Sequence, residues 1–396
     1  MEGIRAGDEI MIKETMTPEE RVWAAVNLEP YDRVPVAPLI DVMFPVKHKG
    51  MTLAEGFADY RGTGWPAMVD LFDEVGGWDG FILPGYSLTP NPKHPIAART
   101  GRMKYPGKEL PVDSPPQYIE TEAMTIEDYD DIIRLGWIAW GEKVLRETSP
   151  FPLEKTIAWA ERQIAQYKKE AQTWEERGIP TLVGAHVNSP LMALSTSRSM
   201  TAFAMDIHRI PDKVQAVMDA MVDDLIENTI EVTRLTGVPG VFLVLERGGC
   251  FYFPLRVFER FEFAYMKKMI EAFAAEGLIT VMHFDQDWTL NLPYLRDLPR
   301  KMCVCELDST TDIFKAKELL KDHMCIAGDV PAGLSSYGTP EETEEYCKKL
   351  IDVVGKDTGF ILSSGCTVPA DCKYENFKVM IDTAKNYYPY RSGPAK

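Results

Sequence analysis

No apolar run in this chain approaches the roughly 18 to 20 residues that a membrane-spanning helix needs, and residues 1–16 lack the apolar segment of a secretory signal. Both absences lead to the expectation of a cytoplasmic protein that does not contact a membrane. Positive charge is scarce too: 43 lysines and arginines stand against 60 aspartates and glutamates, which leaves −17 at pH 7. Nucleic acid and anionic lipid would be repelled by that balance, so a neutral or cationic small molecule, or another protein, is the expected partner. The seven cysteines are an odd number scattered over the C-terminal part of a 396-residue chain, which excludes a disulfide framework. Most are expected as small buried hydrophobes, with one available as a ligand. There is no GxGxxG opening a helix after a strand, no GxxxxGK[ST] and no CxxC. Dinucleotide, nucleoside-triphosphate and dithiol chemistry therefore have no sequence support. Ser189 stands near His186 in Gly184-Ala-His-Val-Asn-Ser-Pro190, but both share one strand end without an elbow, which argues against a hydrolase triad. No internal repeat of solenoid length is present.

What is present is an ordinary globular composition, 45% hydrophobic and 26% charged, sufficient for a sizeable core. Eight apolar runs of strand length recur at 34–42, 80–84, 179–187, 240–246, 278–284, 302–307, 324–330 and 359–364. Helical stretches at 156–177, 202–236, 257–275, 340–354 and 376–387 separate or follow them. Such alternation predicts a parallel sheet, and eight units are the number that closes a barrel. The expected fold class is α/β, one (β/α)8 TIM barrel over 1–396 with an insertion after the second strand. An N-terminal arm and helix occupy 1–30, with Thr17 as cap, Pro18 in the first turn and Glu20 completing a capping box. The rim insertion spans 86–155, where Pro90, Pro92, Pro95, Pro106, Pro111, Pro115 and Pro116 break the rhythm. A small hairpin and an acidic helix near 125–134 are expected there.

In a barrel the carboxyl ends of the strands converge on one face. The fifth run is apolar up to Met282 and then delivers His283 and Asp285, which a strand's period of two places on one side. The fourth run ends in Glu246, the third in His186 and Asn188, the sixth in Glu306 and Asp308, the seventh in Asp329 and the eighth in Cys366. Carboxylate, imidazole and thiolate meeting at one rim make a candidate divalent-metal site. Its candidate catalytic groups are His283, Glu246 and Asp285, and its candidate ligands include Glu246, His283 and Cys366. Glu262 shares a helical face with Phe258, Phe261 and Tyr265, where a carboxylate is out of place unless paired or metal-bound; the alternative is an exposed acid beside Lys267 or Lys268. Tyr252, Phe253 and Trp288 follow the fourth and fifth runs and would suit a flat aromatic substrate, or else serve as loop anchors. With His186, Asn188 and Asp329 they form the candidate substrate-binding set.

Several segments, taken in order, resemble the uroporphyrinogen decarboxylase superfamily over about 17 to 388: Arg21-Val-Trp-Ala-Ala-Val26, Glu29-Pro-Tyr-Asp-Arg-Val-Pro-Val36, Met282-His-Phe-Asp285, Ala327-Gly-Asp-Val-Pro331, Gly338-Thr-Pro-Glu-Glu342 and Gly359-Phe-Ile-Leu-Ser-Ser-Gly-Cys366. The resemblance implies the (β/α)8 barrel. The decarboxylases hold porphyrin carboxylates with an arginine-rich segment that falls here on Ala37-Pro-Leu-Ile-Asp-Val-Met-Phe-Pro45, which has no arginine. The other branch consists of zinc-dependent methyltransferases that exchange methyl groups with a corrinoid protein, and its zinc motif is His-x-Cys plus a distant Cys. This chain has His283 and Cys366, with Asp285 in place of the first Cys. An oxygen-rich set of Glu246, Glu262, His283 and Asp285 is suited to polarising an ether oxygen and resembles the substrate-side enzymes of anaerobic O-demethylase systems. The resemblance thus implies Zn2+-dependent transfer of a methyl group from an aryl methyl ether to cobalamin carried by a partner corrinoid protein, with a homodimer also left open. Methylcobalamin-to-thiol transfer, a metal-free decarboxylase-like lyase and a corrinoid- or tetrapyrrole-binding module without turnover stand as alternatives.

Overall fold

The computed structural model describes residues 14–58, 64–82 and 89–387; residues 1–13 of the expected arm lie outside that range. A two-stranded antiparallel pair, β1 (Arg102–Lys104) and β2 (Gln117–Ile119), comes first in the chain. Six parallel strands follow: β3 (Ala185–Asn188), β4 (Gly240–Val244), β5 (Ile279–Phe284), β6 (Cys303–Leu307), β7 (Cys325–Val330) and β8 (Phe360–Ser364). Their order in the sheet is the order in the chain, as in the strands of a (β/α)8 barrel.

Among the described residues the first two apolar runs do not form ladders. They enter as isolated parallel bridges, Val36 to Leu362 and Phe81 to Thr181. Pro35 and Pro38 in the first run have no N–H to donate, so its backbone bonds to β8 are Ala37 N to Leu362 O and Leu362 N to Pro35 O, and the Ser364 side chain bridges Leu39. On the other side, Asp79 substitutes for a ladder: its N–H donates to Val36 O, and its Oδ2 accepts from Val36 N at 2.9 Å. Phe81 N to Pro180 O and Leu182 N to Phe81 O continue the pairing toward the segment leading into β3. Residues 83–84 of the second run lie outside the described range.

Alternation along the strands sorts the core into two sets. Phe242, Val244, Ile279, Val281, Val304, Cys325, Ala327 and Ile361 pack together on one face, with Val22, Ala25 and Val26 of the helix Pro18–Val26. Leu243, Met282, Phe284, Cys305, Ile326 and Leu362 face the surrounding helices. That first helix carries the Thr17–Glu20 capping box and is fixed by Arg21, whose guanidinium lies 2.6 Å from Asp32 and 2.7 Å from Asp79. By parity, His283, Glu306 and Asp329 belong to the inner face.

The helix expected over 257–275 begins at Leu255 and runs to Ala275, with a π-helical segment at Glu259–Phe263. Such segments shift one residue's direction within an otherwise regular helix, and here Glu262 lies inside it, fully buried. Between β2 and β3 the helices Ile126–Leu135, Trp137–Thr148 and Leu153–Glu175 follow one another. Tyr118 donates to Thr196 O, Arg198 to Met124 O and Tyr129 to Asp206, binding this region to the helices after β3. Among the described residues no helix is long and apolar enough to cross a membrane.

Candidate metal centre

β5 is buried along its whole length, and its inner-face residues Ile279 and Val281 are followed two positions on by His283. The imidazole therefore stands at the top of the inner core rather than in solvent. Register places it beside Val244 of β4 and Glu306 of β6. Its Nδ1 is hydrogen-bonded to Glu306 Oε2, while Nε2 lies 3.5 Å from Asp285 Oδ1 and 3.9 Å from Glu246 Oε1. His283, Asp285 and Cys366 each offer a ligand atom, and the three lie within 4.8 Å of one another. Phe242 stacks on His283 at 5.0 Å between centroids and on His186 at 5.8 Å, so one ring of the core floor orients both imidazoles.

The electrostatics are those of a crowded, partly desolvated acid cluster. Burial raises Glu246 above the usual carboxylate range, with Asp285 adding to the rise and His283 opposing it. Burial likewise raises Asp285, against the attraction of His283. The Cys366 thiol is pushed up by burial and drawn down by His283. Burial works against a charged His283, yet Glu306, Cys366 and Asp285 together hold it well above its ordinary value. Each of these shifts favours the protonated form, so protons and a cation compete for the same donors. One nitrogen, one thiol and one carboxylate, those of His283, Cys366 and Asp285, are close enough to share one cation, and this donor set fits a divalent cation such as Zn2+; Glu246 is outside the group of three.

Other sequence candidates fall around this centre in different ways. Glu246, partly exposed, lies on the Nε2 side of His283. His186 and Asn188 end β3 and are partly exposed; loss of solvent, with the charge of His283 adding, pushes His186 down to about 4. Trp288 and Phe253 are buried, whereas Tyr252 is 41% exposed. The indole N–H of Trp288 donates to Asp285 O at 2.9 Å, and a Cβ on Gly249 would meet that indole at 2.8 Å. Trp288 thus supports the Asp285 turn from beneath. Asp329, pushed up to about 7 by burial, accepts from Tyr346 Oη at 2.8 Å. Glu262 is outside the group of three: its Oε2 accepts from Ser189 Oγ at 3.1 Å, and Oε1 has no hydrogen-bond partner among the described residues.

Glu262 lies directly under the loop that leaves β4. A Cβ on Gly248 would sit 2.3 Å from Glu262 Oε2 and 2.4 Å from its Cγ, closer than any real contact. Gly248→Ala is therefore expected to destabilise the chain by about 1 to 3 kcal/mol through overpacking. Urea unfolding checks this; an unchanged midpoint would mean that the loop and Glu262 are not packed as described.

Sequence reasoning did not single out Glu306 as a site residue, nor Glu120 and Arg247. Glu306 ends an apolar run, Cys303-Val-Cys-Glu-Leu307, and only the register with β5 shows that it meets His283. Glu120, just beyond β2, accepts from Arg247 at 2.6 Å and from Met200 N at 3.0 Å. The insertion thereby grips the residue next to Glu246, a contact between segments far apart in sequence.

The family described as Uroporphyrinogen decarboxylase (URO-D) matches residues 152–387. Relatives include the Methylcobamide:CoM methyltransferase MtbA of Methanosarcina mazei, 22% identical over 389 residues and covering 94% of this chain and 98% of that protein. The enzyme of the same name from Methanosarcina acetivorans is 29% identical over 141 residues, 35% of this chain and 38% of its own length. Among solved structures, a methyltransferase from Methanosarcina mazei superposes with a TM-score of 0.67 at 16% identity, over 94% of this chain and 99% of that one. At that identity the shared feature is the fold.

Proposed function

The chain belongs to the uroporphyrinogen decarboxylase (URO-D) family, and from that premise we propose that it is a corrinoid-linked methyltransferase acting on aryl methyl ethers. The near full-length relationship to Methylcobamide:CoM methyltransferase MtbA supports methyl exchange with a corrinoid protein. The observation that carries the finer reading is the donor set, in which Asp285 rather than a second thiol joins His283 and Cys366 within 4.8 Å, with Asp285 and Glu246 both on the Nε2 side of the ring. Oxygen donors match a hard ether or phenolate oxygen better than a soft thiol.

Glu246, His283, Asp285 and Cys366 would hold the Zn2+, which when bound supplies Lewis acidity worth several kcal/mol at a developing negative oxygen. The chain's own groups do the rest. Phe242 and Trp288 fix His283 and the Asp285 turn. His186, neutral at physiological pH, and Asn188 offer polar contacts at the end of β3, and Tyr252 offers an exposed ring on which an arene can lie. These contacts hold the ether with its methyl group toward the rim, open to in-line attack. Cobalamin carried by a partner protein would supply, as co-substrate, the electron pair that attacks the methyl carbon. The C–O bond breaks with its pair going to oxygen, and the products are methylcobalamin and a phenolate that takes up a solvent proton.

The name of the two relatives favours a second reading, methyl transfer from methylcobamide to a thiol. Both are tested by incubating the zinc-loaded protein with free cob(I)alamin and a panel of methoxyphenols, and in parallel with methylcobalamin and a small thiol, following the cobalamin spectrum. Methylcobalamin formation from a methoxyphenol is the expected result. Turnover confined to the thiol assay would replace this reading by the second. Asp285→Cys, which restores a sulfur-rich set, is expected to keep zinc while losing at least about tenfold in ether cleavage.

A further inference from the structure

We propose that Glu306 is the positioning residue of the centre, fixing the His283 ring so that Nε2 alone is presented to a divalent cation; this rests on the metal-centre reading above. β5 and β6 are paired with His283 directly beside Glu306, and both side chains belong to the inner face. The contact is thus set by backbone register rather than by a flexible loop. Glu306 is fully buried. Its Oε2 meets His283 Nδ1, and its Oε1 has no hydrogen-bond partner among the described residues. A carboxyl group placed in a core floor of Val281, Val304 and Ala327 is costly, and among the described residues its one hydrogen-bonding partner is the imidazole. An Nδ1 that faces a carboxylate carries the hydrogen, which leaves the lone pair on Nε2, on the side of Asp285 and Glu246. Phe242, stacked on the ring at 5.0 Å, limits its tilt, and the hydrogen bond of Glu306 to Nδ1 distinguishes that nitrogen from Nε2, whose carboxylate neighbours stand at 3.5 and 3.9 Å.

Carboxylates that hold a ligating histidine contribute ten- to a hundredfold in metal affinity. Glu306→Ala is therefore expected to bind zinc about a hundredfold more weakly than the wild-type chain in competition with a chromogenic chelator. Glu306→Gln, whose amide oxygen still accepts from Nδ1, should lose only about tenfold. The absorption bands of the Co2+-loaded variants should shift in the same order, while the metal-free proteins keep their melting midpoints. Wild-type affinity in both variants overturns the proposal, as does an affinity loss matched by a fall in the metal-free midpoint of both. A wild-type chain that binds no zinc at all would instead remove the metal-centre reading on which the proposal stands.

Discussion

The His283→Ala chain is expected to hold no zinc and to lose methyl transfer by on the order of a thousandfold, since several kcal/mol of Lewis-acid stabilisation correspond to about three powers of ten in rate. His283 is the only imidazole of the three-residue cluster, and its Nε2 is the point that Asp285 and Glu246 surround at 3.5 and 3.9 Å. Without it the remaining donors are one thiol and carboxylates that burial already drives toward their neutral forms. The fold should survive. Burial raises the Glu306 carboxyl, and His283 is what opposes that rise, so removing the imidazole lets Glu306 take up a proton rather than remain an unpaired buried charge. Metal analysis beside circular dichroism of the variant decides the matter, with His283→Ala/Glu306→Gln as a second chain that carries no buried carboxyl at that place. Zinc at the wild-type level in either chain would sink the site. Because protons and cation compete for the same donors, wild-type zinc affinity should also weaken as the pH is lowered.

Why some of this was readable in the sequence, and some not, follows from how each feature is encoded. Strand ends of a barrel share one rim, so runs that terminate in His283, Asp285 and Cys366 predict that these groups approach each other, and the structure brings them within 4.8 Å. Glu306 bears the same mark as Asp329 or Glu246, the end of an apolar run, and the pairing of β5 with β6 is what selects it as the partner of His283. The first two runs have strand composition, yet Pro35 and Pro38 withhold donors and Asp79 takes over the bonding, so hydrophobicity alone overstated them. The odd placement of Glu262 among Phe258, Phe261 and Tyr265 was visible at helical spacing. The π segment that contains it was not, because i→i+5 bonding leaves no compositional trace. Pairings such as Glu120 with Arg247 depend on where the insertion folds back, which no local pattern records.

Glu262 offers the second large effect, and it is one of pH. Burial, only partly opposed by the hydroxyl of Ser189, pushes its carboxyl from 4.5 to about 8. Between those values the folded chain holds a proton that the unfolded chain has released, so stability falls as pH rises through this window. The contribution is complete below the unfolded value and lost as pH passes the folded one. Glutamine mimics the protonated acid in shape and charge, and its amide oxygen can still accept from Ser189. Glu262→Gln is thus expected to match the wild-type chain near the acid end of the window and to exceed it by on the order of a few kcal/mol near pH 8. Urea unfolding of the metal-free proteins at several pH values measures this, and parallel pH profiles would show that Glu262 is not neutral in the fold. The same variant addresses ligation. Oε2 is engaged by Ser189 and closed over by Gly248, so Glu262→Gln should retain its zinc, whereas its loss would place Glu262 among the ligands and make the stabilised metal-free chain the cost of an empty centre.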